Sequence, residues 1–281
     1  MRILPGCDGR SRSLRPGSSP MFDMATETVL LLVLAAFIAG FIDAIAGGGG
    51  LVTVPALLLA GLPPVAALAT NKLQSLFGAA SSVIAYASKG HVDVRKQWRP
   101  ALTSALASVA GALLATILPS DVLNVMLPLL LIGIAIYFVV KPNMSDVDRA
   151  QRMTPLVFGL TIVPLVGFYD GAFGPGTGSF FMLAFVSLAG FGVLKATAHT
   201  KTLNFASNLG AFLTFVLVGA VAWKIGLLMG MAQFAGARLG AGLAMKKGAT
   251  VIKPLLVTIC ILLAAKLLME DHNPLRAFIG L

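Results

Sequence analysis

Charged side chains are scarce in this 281-residue sequence: Asp, Glu, Lys and Arg make up 11% of it, and hydrophobic residues make up 57%. A soluble globular domain has about 25% charged residues, so this composition excludes that class. Two cysteines exclude a disulfide framework, and three scattered histidines do not have the spacing of a zinc site. The sequence predicts a membrane protein without a metal or a cofactor.

Long apolar runs take the place of charge along nearly the whole chain. A run of about 20 residues is long enough for a helix to cross a bilayer core, and we expect about eight such transmembrane segments. Because the runs are long and lack strand alternation, they favour helices over barrel strands. The fold class we predict is an all-α polytopic membrane protein. The net charge of +10 falls mainly between the runs, where it orients a membrane protein and does not indicate nucleic acid.

Two glycine-rich segments of the chain repeat each other. Residues 40–51 read GFIDAIAGGGGL and residues 167–178 read GFYDGAFGPGTG. A shift of 127 positions (170 minus 43) aligns Asp43 with Asp170. A short apolar segment of about 11 residues, roughly half a membrane span, follows each break. Duplicated halves with interrupted hydrophobic segments at matching places are typical of secondary transporters.

The duplication divides the chain into two homologous halves. Each half is predicted to contain a glycine-broken helix or re-entrant hairpin and three further spans, among them 122–140 in the first half and 250–269 in the second. In the first half the break extends from Gly47 to Gly50, and Leu62-Pro63-Pro64 makes the turn before the next helix. An odd number of membrane crossings per half makes the halves inverted, and an even number makes them parallel. We favour inverted halves, because they place the basic loops in the cytoplasm. Met21 and Met24 are alternative starts to Met1. The predicted units are a disordered tail (1–24), a first repeat (25–140), a polar linker (141–154), a second repeat (155–270) and a short C-terminal tail (271–281).

Ionisable residues inside the apolar runs are the main functional candidates, because inserting one costs about 2.5 to 3.5 kcal/mol. A helix that restarts after a glycine break presents unpaired N–H groups and the positive end of its dipole, which suits a small anion. We expect Lys72 and Lys201 to add charge there, Thr200 and Asn208 to add further hydrogen-bond donors, and Asp43 or Asp170 to take up and release a coupling proton. The predicted binding residues are Gly47, Gly48, Gly49, Asn71, Lys72, Gln74, Gly174, Gly176, Thr177, Lys201 and Asn204.

Simpler interpretations stay open at this point. The glycines would serve only close helix packing, and the lysines would form structural ion pairs with the aspartates. A passive anion channel is the second functional hypothesis. An intramembrane aspartyl enzyme is the third, although such enzymes place an aspartate after a Gly-x-Gly element and both aspartates here precede their glycines. Neither glycine run has the lysine of a phosphate-binding loop.

The sulfite exporter TauE/SafE family is the one that this chain resembles, over residues 29–269. The resemblance lies in the duplicated Gly-Phe-x-Asp-x-x-x-Gly-x-Gly element, followed by ATNKLQ at 69–74 and TKTLNFASN at 200–208. It implies a multi-pass permease of the cytoplasmic membrane, and not an enzyme, that moves sulfite or an organosulfonate. The second break carries Pro175, Thr177 and Gly178, so the halves are expected to contribute unequally. Whether two copies form a homodimer stays open.

Overall fold

A computed structural model describes residues 25–119, 122, 147, 148 and 150–248. The predicted tails at 1–24 and 271–281, the predicted span at 250–269 and all but Val122 of the predicted span at 122–140 lie outside the described residues. Within them, the regular structure is helical and contains no strand. The prediction of an all-helical protein is confirmed for this part of the chain.

The helices of the described part follow the predicted order. The two short helices, Gly50–Leu59 and Thr177–Ser187, have 10 and 11 residues and lie directly after the glycine breaks. A 3-10 turn, Val94–Gln97, leads into the helix Trp98–Ile117. The α-helices are α1 (Thr26–Ala46), α2 (Gly50–Leu59), α3 (Pro64–Ser88), α4 (Trp98–Ile117), α5 (Pro155–Ala172), α6 (Thr177–Ser187), α7 (Val193–Leu217) and α8 (Trp223–Lys247).

The glycine breaks end one helix and start the next within a few residues. Gly47 has a φ of 75° and caps the end of α1, while Gly176 has a φ of 81° and precedes α6. Residues with a Cβ rarely adopt this left-handed region. The breaks therefore need glycine for their backbone conformation, whatever else they contribute.

The two halves pack reciprocally. The first helix of each half lies against the last described helix of the other, so α1 contacts α8 and α5 contacts α4. The long third helices, α3 and α7, contact each other, and each also lies against the last described helix of the other half. A Cβ added to Gly111, Gly171, Gly236 or Gly240 would overlap the backbone of the facing helix. Small residues thus permit close helix contact, as in other membrane bundles.

The order of contacts gives the direction of each helix. Both α1 and α3 run parallel with α8, because positions further along one helix meet positions further along the other. The contacts that show this are Phe37 with Gly236, Phe41 with Gly240, Leu73 with Gly226 and Phe77 with Gly230.

A second set of helices runs the opposite way. By the same reasoning, α5 and α7 run parallel with α4. Only residues 218–222 connect α7 to α8, and so short a link cannot return along a 25-residue helix of about 37 Å. Therefore α4, α5 and α7 run against α1, α3 and α8. The contacts are Ser104 with Gly167, Ser108 with Gly171, Ser104 with Leu203 and Ser108 with Ser207.

Three of the described helical segments are long and apolar enough to cross a membrane: Thr26–Ala46, Val94–Ile117 and Pro155–Ala172. The 25-residue helices α3, α7 and α8 have sufficient length, but they carry more polar residues. Large apolar side chains also cover much of the outer surface, among them Leu30, Leu165 and Leu217. This pattern supports a location in a membrane.

The end of the polar linker is fixed to the start of α7. Asp148 accepts a hydrogen bond from the Gly192 N–H at 2.6 Å and forms an ion pair with Lys195 at 2.7 Å. The Lys195 ammonium and, after it, the Gly192 N–H hold the pKa of the exposed Asp148 carboxyl below its usual value. This contact anchors the linker beside the second half.

Candidate functional site

Asp43, in the last turn of α1, holds the first glycine break together. Its Oδ1 accepts hydrogen bonds from the N–H groups of Gly48 at 3.1 Å and Gly49 at 3.2 Å. Its Oδ2 lies 3.1 Å from Lys201 Nζ, which also donates to the Asp43 backbone carbonyl. Both carboxylate oxygens therefore have donors, and the carboxylate satisfies two N–H groups that precede α2.

Asp170 occupies the equivalent place in α5 but has fewer partners. Its Oδ1 lies 2.7 Å from Lys72 Nζ, and both side chains are almost completely buried. Its Oδ2 is buried and has no hydrogen-bond partner among the described residues. Lys72 passes beside the second break, because a Cβ on Gly174 would lie 2.7 Å from its Nζ.

The two ion pairs connect the halves in a crossed arrangement. Lys72 of the first half pairs with Asp170 of the second, and Lys201 of the second half pairs with Asp43 of the first. Removing one partner of a buried pair leaves an uncompensated charge and typically costs about 3 to 5 kcal/mol. The lysines and aspartates that stand out in the sequence are thus brought together, with each ammonium on a carboxylate.

A small polar cavity lies between the two breaks. Its volume is about 20 Å³, and a water molecule needs about 10 to 15 Å³. The cavity therefore has room for a water molecule or two. Its lining residues are Asp43, Gly48, Gly49, Gly50, Asn71, Ser75, Asp170, Gly174, Gly176, Thr177, Gly178, Asn204 and Asn208.

Four residues of the predicted set do not line this cavity. Lys72 and Lys201 lie behind the carboxylates that they contact. Gln74 donates from Nε2 to Asn71 Oδ1 at 3.1 Å and so supports a lining residue. Gly47 lies against the backbone of α6, where an added Cβ would overlap Gly178.

Asn208, an expected donor, lines the cavity, and three further lining residues are absent from the predicted binding set: Gly50, Ser75 and Gly178. Ser75 follows Asn71 by four residues, and Asn208 follows Asn204 by four, so helical periodicity places each pair on one face. The two glycines belong to the first turns of α2 and α6, where N–H groups lack intrahelical partners. Both signals are present in the sequence.

The amides that line the cavity are oriented by their hydrogen bonds. Asn71 Oδ1 accepts from Thr53 Oγ1 at 2.7 Å and from Gln74 Nε2 at 3.1 Å. Asn204 Oδ1 accepts from Asn208 Nδ2 at 3.1 Å. Since the oxygens are occupied, the Nδ2 donors of Asn71 and Asn204 remain for the cavity. The N–H groups of Leu51, Val52 and Thr177 already donate to backbone carbonyls. Together with the N–H groups of Gly50 and Gly178 in the first turns of α2 and α6, the two amides provide donors suited to a small oxyanion.

Comparison with known proteins identifies the family. The family model described as sulfite exporter TauE/SafE matches residues 32–267. The chain belongs to this family. The predicted resemblance is confirmed, and the matched range includes both glycine breaks and the residues of both ion pairs.

The relatives of this TauE/SafE family member are named as transporters. The probable membrane transporter protein ORF9 of Sinorhizobium sp is 62% identical to this chain, and the alignment covers 92% of this chain and all of the relative. A probable membrane transporter protein of Haemophilus influenzae is 44% identical over 89% of this chain and 98% of the relative. YfcA of Escherichia coli, also a probable membrane transporter protein, is 46% identical over 86% of this chain and 90% of the relative. No solved structure matches. The chain is thus a membrane transporter of this family.

Proposed function

We propose that this transporter carries a small oxyanion, sulfite or an organosulfonate, by ion-coupled alternating access around the cavity between the two breaks. The observation that carries the proposal is the donor-rich lining, in which two oriented asparagine amides meet two helix N-termini. The family description names sulfite, and sulfur oxyanions accept several hydrogen bonds at once. In the proposal, the predicted residues that line the cavity bind the anion, and Gly47 and Gln74 support them. Lys72 and Lys201 supply positive charge once released, and Asp43 or Asp170 takes up the coupling proton.

The small cavity supports an alternating mechanism. A volume of about 20 Å³ is too small for sulfite, which has four heavy atoms. Lys72 and Lys201 are also engaged by carboxylates, so neither ammonium is available to a substrate in this conformation. We assign the structure to a closed state, which must widen and release at least one lysine before an anion binds.

Inverted halves are the arrangement that we propose in the cytoplasmic membrane, with about eight spans in all. The opposite directions of α1 and α5, the first helices of the two halves, support it. In inverted-repeat transporters, broken helices from both halves meet at the substrate site. In this arrangement the exposed residues Lys89, Lys96, Arg152 and Lys246 lie on one face and Lys224 on the other, and the basic face is expected in the cytoplasm.

Sulfite transport by purified protein in liposomes tests the proposal. Wild type should accumulate sulfite against its gradient when an ion gradient is imposed. Lys72→Gln combined with Asp170→Asn removes an ion pair without leaving one charge unpaired, and should abolish accumulation. Lys195→Gln combined with Asp148→Asn removes the exposed ion pair and should leave transport intact.

The outcomes separate the hypotheses. Sulfite flux that follows voltage and never runs uphill would indicate a channel. Absence of flux with sulfite and with an organosulfonate would contradict the proposed substrate class. Normal uphill transport by the Lys72/Asp170 double variant would remove that pair from the mechanism.

A further inference from the structure

We infer that only one of the two repeat-equivalent aspartates, Asp170, takes up the coupling proton. The proton binds at Oδ2, and it crosses the membrane together with the anion, in the same direction. This inference rests on the proposed function and divides the roles of two residues that the sequence presents as equivalent.

Asp43 has no donor-free carboxylate oxygen as a position for a proton. Three donors face its carboxylate: the N–H groups of Gly48 and Gly49 at Oδ1 and the ammonium of Lys201 at Oδ2. An ionised carboxylate is purely an acceptor, whereas a protonated one carries a donor of its own. Protonation of Asp43 would therefore remove the negative charge to which all three donors bind, and so weaken the first break. Its role is to hold that break closed and to neutralise Lys201.

Asp170 offers such a position. Lys72 donates to Oδ1, while Oδ2 is buried without a partner in the described part of the chain. Asp170 also lines the cavity, through which a proton can arrive from water. A proton on Oδ2 breaks no existing hydrogen bond, and the O–H group that it forms can donate to an anion in the cavity.

The charges around Asp170 link proton binding to anion binding. Lys72 faces it from α3, Asp43 lies across the cavity on α1, and Lys201 on α7 pairs with Asp43. His199 of α7 packs against aromatic rings, and Tyr169 donates its hydroxyl to the Pro175 carbonyl. The helices α4 and α6, which also contact α5, bring no titratable side chain to this point: the one such residue in α4 is Arg99, in its exposed first turn, and α6 has none.

Two lysines and two carboxylates sum to zero charge, so a bound monovalent anion, hydrogensulfite or an organosulfonate, leaves the buried site one charge negative. Burying such an excess charge is costly. A proton on Asp170 restores neutrality and frees the Lys72 ammonium for the anion. The affinities for proton and anion must then increase each other. The site is neutral when both ligands are bound, and the proton and the anion are released together on the opposite side of the membrane.

Proton and sulfite movements in the same liposomes test this inference. With acid outside, wild type should accumulate sulfite in the alkaline lumen, and a trapped pH dye should report proton entry. One linked proton changes the apparent affinity for an organosulfonate, whose sulfonate charge does not change with pH, by about tenfold per pH unit where the proton limits binding. Asp170→Asn resembles the protonated form, so organosulfonate exchange should persist with a flat pH profile and without accumulation.

Asp43→Asn is the matched variant. It should exchange sulfite more slowly and unfold at a lower temperature, but retain the wild-type pH slope. Asp170→Glu keeps a titratable group and should keep the slope with a shifted midpoint. Sulfite-induced thermal stabilisation in detergent provides a folding control for all three.

Several results would overturn the inference. These are a wild-type pH slope in Asp170→Asn, a flat profile in folded Asp43→Asn, or sulfite accumulation on the acidic side. Wild-type flux that is uphill but independent of pH removes the proton from the mechanism and leaves the proposed function standing. No exchange of sulfite or an organosulfonate at any pH removes both.

Discussion

Asn71 is the residue at which anion selectivity is most directly testable. Its Oδ1 accepts from Thr53 and Gln74, which leaves Nδ2 as the donor toward the cavity. Asn71→Asp keeps both acceptor contacts but replaces that donor with a negatively charged oxygen. Losing a hydrogen bond to a charged group costs about 1.5 to 3 kcal/mol, so sulfite should bind roughly 10- to 100-fold more weakly.

Thr53→Val is the control for this change. It removes one donor to Asn71 without adding charge, and Gln74 still orients the amide. Sulfite affinity measured by thermal shift should change only a few-fold in this variant. Equal losses in both variants would show that the orientation of Asn71, and not its donor, determines binding.

Composition reveals the ionisable residues of the site, but not their partners. Asp43, Lys72, Asp170 and Lys201 are conspicuous because charge is rare in the apolar runs. The pairs join residues 98 and 158 positions apart, and only the packing of the two halves determines them. The same holds for Asp170 Oδ2, whose lack of a partner depends on the surrounding helices.

Alanine substitution tests the role of glycine at the helix ends. Gly47 and Gly61 both follow helices and have φ of 75° and 89°, so alanine at either should cost about 1 to 2 kcal/mol. A Cβ at Gly61 meets open space, whereas a Cβ at Gly47 overlaps the backbone of Gly178 and Ser179. Overpacking adds about 1 to 3 kcal/mol.

Thermal unfolding in detergent, followed by transport assays, compares the two substitutions. Gly61→Ala should unfold slightly earlier and still transport. Gly47→Ala should lose clearly more stability and lose transport, because the two breaks can no longer approach. Equal behaviour would mean that the contact between Gly47 and α6 is dispensable.

Helix positions follow closely from the sequence because breakers mark them. Leu62-Pro63-Pro64 ends the first short segment, and α3 begins at Pro64 as expected. The predicted break extends to Gly50, yet α2 begins there. Glycine destabilises mainly the middle of a helix, through its conformational entropy, so it is tolerated at the first position.

At the scale of the whole molecule, the sequence favours inverted halves only through the distribution of Lys and Arg. The spans predicted at 122–140 and 250–269, on which the crossing count depends, lie outside the described residues. Helix directions offer an independent argument, because they follow from contacts between α1, α3 and α8 and from the short link after α7.

A matched pair of cysteines tests this arrangement. Lys89 caps the end of α3 and Val218 caps the end of α7, the equivalent helix of the other half, and both are exposed. After Cys7 and Cys260 are replaced by serine, Lys89→Cys and Val218→Cys should react with an impermeant maleimide from opposite sides of the membrane. Inverted halves require this result, because equivalent helices then end on opposite faces. Labelling of both from one side would establish parallel halves and contradict the directions derived from the helix contacts.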